Sequence, residues 1–143
     1  MIGIFIALIS GALMSVQGVF NTGVTKNTSL WVSTCWVQFS ALLVCLIAWY
    51  MKDRSSFLEL AKVDNKYMLL GGVIGAFITV TVIKSMASLG PAKAAMLIVI
   101  SQLIVAYVIE LLGVFGVDKQ PFQWKKVIGM TIAIVGVVLF KWD

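Results

Sequence analysis

The chain has 143 residues, of which 61% are hydrophobic before its 12 glycines are counted and only 12% are charged. A soluble domain is roughly 45–50% apolar with glycine included and about 25% charged, so this chain carries more apolar surface than one soluble core buries. A soluble enzyme, a disordered chain and a disulfide-stapled secreted module are excluded, and the sequence reads as an all-α integral membrane protein. The net charge of +5 does not point to nucleic acid. The lysines are scattered between apolar stretches, where a membrane protein uses them for orientation.

Five continuous apolar stretches, 2–24, 30–51, 67–89, 91–115 and 127–142, read as membrane-crossing helices, for which roughly 20 residues are needed. Together they predict a single five-helix transmembrane domain over 1–143. Their continuity, without alternation at period two, excludes a β-barrel. The first stretch lacks a basic leader and runs too long for a signal peptide, so it is read as a span. Lys26-Asn27-Thr28-Ser29 joins the first pair and Gly90-Pro91 makes a tight turn between the third and fourth. Only the connection from Lys52 to Lys66 is long, and Ser55 to Leu60 is expected to form a short interfacial helix within it. Trp31, Trp49, Tyr50, Tyr67, Trp124 and Trp142 fall at span ends, where amphipathic rings belong.

Five spans put the termini on opposite sides. The side of the N-terminus receives Lys52, Arg54, Lys62, Lys66, Lys119, Lys125 and Lys126; the other receives Lys26 and Lys141, with Lys84 and Lys93 if they snorkel that way. This bias places the N-terminus in the cytoplasm. It is modest enough to leave room for an oppositely oriented partner. Cys35 and Cys45 lie ten residues apart on one helix, roughly 15 Å, which is beyond disulfide reach. They read as small fillers. With no histidine in the chain, two separated cysteines cannot build a zinc or iron site, and no metal or other cofactor is expected.

Polar residues inside spans are costly and ask for a partner, a cavity or a function. In the first helix Ser10, Met14, Gln17 and Asn21 share one narrow arc at 100° per residue. A small-residue stripe of Gly11, Ser15, Gly18 and Thr22 runs beside it, spaced for close helix contact. Two amides on one face suit a polar solute in a dry cavity; the alternative is that Gln17 and Asn21 only hydrogen-bond to neighbouring helices. In the second helix Thr34, Gln38 and Cys45 share a face, and Gln38 is the next cavity candidate. Trp36, off to the side, either faces lipid and packing or stacks on a flat substrate. The third helix opens with Gly71, Gly72, Gly75 and Ala76, which allow close packing or bending.

The fourth helix places Gln102, Ala106 and Glu110 at i, i+4 and i+8, with Ser101 at the border of that face. Glu110 lies near the helix end, so it either sits at the interface with a lysine partner or serves as a protonatable coupling residue. Lys84 and Lys93 flank the Gly90-Pro91 turn and either snorkel or, with Lys26, form a basic vestibule for anions. In the last helix Gly129, Ala133 and Gly136 form a small-residue association surface. Without histidine, a Ser/Lys pair, paired carboxylates in a cleft or a phosphate-cradling loop, the chain is not expected to be an enzyme.

The run Ser88-Leu89-Gly90-Pro91-Ala92-Lys93-Ala94-Ala95 resembles the third-to-fourth helix junction of the drug/metabolite transporter superfamily. Gly113 to Gln120, followed by Val127-Ile128-Gly129-Met130 and Ile134 to Leu139, resembles its closing helix–loop–helix, with Asp118 where glutamate is common. The first helix, Ala12 to Asn21, is similar to the YdcZ-type five-helix branch. The resemblance covers nearly the whole chain and rests on the order and spacing of individually weak motifs. It implies one half of a ten-helix antiparallel dimer, homo- or heteromeric, in which the last helix dimerises and the first four line a midplane site. It implies an inner-membrane secondary transporter, exporting a small metabolite by alternating access. The related small multidrug-resistance exporters use a first-helix glutamate for proton-coupled export of cationic drugs. Here that helix carries Gln17 and no acid, which points to a neutral or anionic solute.

The expected site residues are therefore Gln17, Asn21, Gln38, Ser101, Gln102 and Trp36, with Glu110, Lys84 and Lys93 as coupling or vestibule candidates and Gly129, Ala133 and Gly136 at the dimer interface. Two other readings stay open: a non-transporting subunit that binds another membrane protein, and a lipid flippase component using the Lys84/Lys93 end.

Overall fold

The computed structural model describes residues 2–141, and all regular structure among them is helical. The order is α1 (Ile2–Asn27), α2 (Leu30–Lys52), α3 (Gly71–Leu89), α4 (Pro91–Leu112) and α5 (Trp124–Lys141), with 3-10 turns at Phe57–Lys62 and Lys66–Leu70 ahead of α3. Trp142, expected at the end of the last span, lies outside the described residues.

Local chemistry sets the boundaries. The Ser29 hydroxyl accepts the Val32 N–H at 3.2 Å and caps α2, satisfying one of the free donors of its first turn. Pro91 opens α4, where its missing N–H costs nothing, after Gly90 with φ of 81°. At its far end α4 stops at Leu112, short of the expected residue 115, because Gly113 turns left-handed at φ 64° and donates its N–H to the Ile109 carbonyl at 2.9 Å. The short helix expected in the long connection forms as the first 3-10 turn, displaced by two residues and capped by the Ser56 hydroxyl.

The chain divides into two compact units, Met1–Lys84 and Ser85–Asp143. In the first, α1 packs against α2, and the buried residues of this pair are Gly18 and Asn21 on one helix and Ser33 and Thr34 on the other. All four lie in the halves next to the connection, while residues 2–17 are exposed throughout. In the second unit α4 packs against α5, burying Ala94 and Tyr107. In the α1–α2 pair the buried positions are small or polar, with Ile83 and Met86 of α3 buried as larger apolar residues, whereas Phe5, Leu8, Leu13, Phe39 and Leu42 face outward. That inversion of the soluble pattern fits a lipid surround.

Four segments, Ile2–Asn27, Leu30–Lys52, Lys66–Leu89 and Pro91–Leu112, are long and apolar enough to cross a membrane. The fifth expected stretch is helical, as α5, but is not among them. Its apolar run between Lys126 and Lys141 gives only about 21 Å of helix against a hydrocarbon core of about 30 Å.

Candidate functional site

In the first unit the polar residues of α2 serve two neighbours. The buried Ser33 hydroxyl donates to the Asn21 backbone carbonyl at 3.0 Å, tying α2 to α1. Five residues on, about 140° around the helix, Gln38 donates through Nε2 to the Thr79 hydroxyl of α3 at 3.3 Å, and Thr79 donates in turn to the Gly75 carbonyl at 3.0 Å. Thr34, buried on the Gln38 face, returns its proton to Leu30 at 2.8 Å. The polar seam of α2 thus consists of two separate uncharged contacts, Ser33–Asn21 toward α1 and Gln38–Thr79 toward α3. The latter occupies one of the two Gln38 amide donors, and an amide carbonyl can accept as well, so these groups can recognise a polar solute without charge.

The sequence arc of Gln17 and Asn21 is divided by the packing. Asn21 is buried in the α1–α2 contact while Gln17, one turn farther from the connection, is exposed with Met14. Trp36 stands away from Gln38, because two residues turn a helix through about 200°. It lies on an exposed apolar strip with Trp31, Val32, Cys35 and Phe39, its ring centroid 6.3 Å from that of Phe39. Cys35 and Cys45 are both free thiols.

In the second unit Ser101 and Gln102 are exposed on α4. Glu110 has a lysine partner, as one of the two sequence readings has it: Lys126 Nζ donates to its carboxylate at 2.5 Å, with both side chains about two-fifths exposed. Beside this pair is one that sequence reasoning missed. The Tyr107 hydroxyl accepts the Gln123 N–H at 3.0 Å and donates to the Gln123 carbonyl at 3.3 Å, and Lys126 lies 5.4 Å from the Tyr107 ring centroid. Tyr107 and Glu110 are one turn apart on α4, as are Gln123, just ahead of α5, and Lys126 in its first turn, so the two pairs form parallel rungs. The repeated separation of sixteen residues was the only available signal, and it means nothing until the loop geometry is known. Lys93 is half-buried against Leu89, Met96, Leu97, Val137 and Phe140, and Lys84, in the first unit, is exposed. Gly129 and Gly136 face open space in this chain, and Ala133 is half-buried.

No group of three or more metal-ligating side chains occurs among the described residues. Long apolar helices, an outward apolar surface and an uncharged polar seam define an integral membrane protein of the helical class. A model of the family described as "Putative inner membrane exporter, YdcZ" matches residues 2–139, and the chain belongs to this YdcZ branch of the drug/metabolite transporters. It is thus an inner-membrane protein of an exporter family, not of a family of enzymes. No curated protein and no solved structure gives a match.

Proposed function

We propose that the chain is one half of a secondary-active exporter of a small neutral or anionic metabolite, working by alternating access in a dimer with an oppositely oriented five-helix chain. The observation that carries this reading is the pair of uncharged hydrogen-bonded contacts of the α2 seam, Ser33–Asn21 and Gln38–Thr79, in segments otherwise built for lipid. A solute entering there exchanges water for amide and hydroxyl partners, and no carboxylate in the seam selects a cation. In the dimer Gln17 of the first unit and Ser101 and Gln102 of the second, each exposed on the single chain, are open to the solute.

The same dimer accounts for surface the chain leaves open. A Cβ at Gly129 or Gly136 would meet nothing within 4 Å, so this stripe of α5 has room for a second helix at close range. α5 then makes the fifth crossing, its entry charge offset by the Glu110–Lys126 pair.

The test is solute flux in proteoliposomes with Gln17→Leu, Asn21→Leu and Gln38→Leu. Loss of flux with retained folding supports the site; unchanged flux in all three removes it. A second reading, a non-transporting subunit, draws on the Gln38–Thr79 bond being satisfied within one chain. Cysteine accessibility at positions 17 and 38 separates the two: labelling from both membrane faces supports transport, and labelling from neither supports the subunit.

A further inference from the structure

We propose that the α2–α3 connection is a membrane-surface anchor, in which the 3-10 turn Phe57–Lys62 lies at the headgroup–acyl boundary with Leu58 and Ala61 against lipid. The inference needs only membrane residence and is independent of what the protein transports. The connection does not loop freely into water. Trp49, in the last turn of α2, donates its indole N–H to the Ser55 carbonyl at 3.0 Å, and its ring lies 4.8 Å from that of Phe57. Trp49 precedes the helix end at Lys52 by three residues, roughly 4.5 Å of rise, so Phe57 is held at a depth just inside the end of a membrane-crossing helix.

That placement decides what meets the rest of the turn. Residues three apart eclipse in a 3-10 helix, so Phe57 and Leu60 share one edge, Leu58 and Ala61 a second, and Glu59 and Lys62 the third. Two edges are apolar and one is charged, and Leu58 is 80% exposed within the chain. At this depth the apolar edge meets acyl chains while the Glu59/Lys62 edge stays in water. The surroundings agree with a headgroup setting. Arg54 is pinned with Nε donating to the Tyr50 carbonyl at 2.6 Å and its guanidinium 4.4 Å from the Tyr50 ring centroid, and Lys52 and Lys66 stand at the exit and re-entry of the chain.

The experiment uses the full chain in liposomes with Cys35→Ser and Cys45→Ser, carrying an environment-sensitive dye at Leu58→Cys, or at Ala61→Cys should the first disturb folding, and in a third sample at Glu59→Cys. Lipids bearing a nitroxide near the headgroup are expected to quench the Leu58 and Ala61 probes at least about two-fold more than lipids with a deep nitroxide, with aqueous iodide acting mainly on the Glu59 probe. Iodide quenching of Leu58 equal to that of Glu59 would overturn the anchor in favour of a hydrated loop. Protection of Leu58 from both quenchers would overturn it in favour of a protein contact.

Discussion

Gln38 and Thr79 join α2 to α3 by a single 3.3 Å bond between an amide and a hydroxyl, both half-buried. Because neither group is charged, the bond can open toward a solute without stranding an ion in a low-dielectric setting. Interhelical bonds of this kind contribute about 0.6 kcal/mol in membrane proteins, small enough for a bound solute to replace.

Thr79→Val keeps the side-chain shape and removes the acceptor, so it is expected to lower stability by about 0.6 kcal/mol. Gln38→Leu is expected to weaken solute retention about tenfold, the equivalent of about 1.4 kcal/mol. Unfolding in mixed detergent micelles measures the first and equilibrium solute binding the second. A Gln38→Leu chain that binds solute normally counts against the seam as the site.

Ser33 offers a sharper packing test, since it is fully buried against α1. Ser33→Ala should cost about 0.6 kcal/mol through the lost bond to Asn21. Ser33→Leu should cost more, about 1–3 kcal/mol, because a larger side chain forces the helices apart. The order of the two variants in the same unfolding assay is the readout.

Much of this was legible from the sequence, for identifiable reasons. Each apolar run became a helix because length and hydropathy suffice for that; Ser29 fixed the start of α2 where expected, and ends moved by a few residues where Gly113 and Trp124 set them. The lysine beside Glu110 was foreseeable as a class of partner but not as Lys126, because the α4–α5 loop turns through left-handed conformations at Gly113, Phe115 and Gly116 that spacing does not encode. Nor could a helical wheel separate Asn21 from Gln17. That depends on α2 covering α1 only near their connection.

The two rungs between α4 and α5 should differ in their response to salt. Tyr107→Phe removes the hydroxyl from a pair of hydrogen bonds and is expected to cost about 1 kcal/mol, largely independent of ionic strength. The Glu110–Lys126 pair is two-fifths exposed, so a double-mutant cycle with glutamines should give about 0.2–1 kcal/mol, decreasing as salt rises.

Glycine substitutions distinguish the chain's own geometry from its association. At Gly113 an added Cβ would fall 2.8 Å from Lys119 Cβ in a backbone at φ 64°, so Gly113→Ala should destabilise the monomer by about 1–3 kcal/mol. Gly129→Ala meets open space and should stabilise the isolated helix by up to about 1 kcal/mol. Gly129→Leu, equally free of clashes at its Cβ, is expected to abolish cross-linking between chains. Unimpaired cross-linking removes this face from the proposed dimer contact.

The Glu110–Lys126 rung also bears on how the membrane voltage acts. Each elementary charge carried across 100 mV involves about 2.3 kcal/mol. A glutamate and a lysine held together and displaced together carry no net charge, so the electric field does no net work on them. This pair therefore adds nothing to the charge an export cycle would move, which is left to the solute, to any ion that travels with it and to the remaining charged side chains.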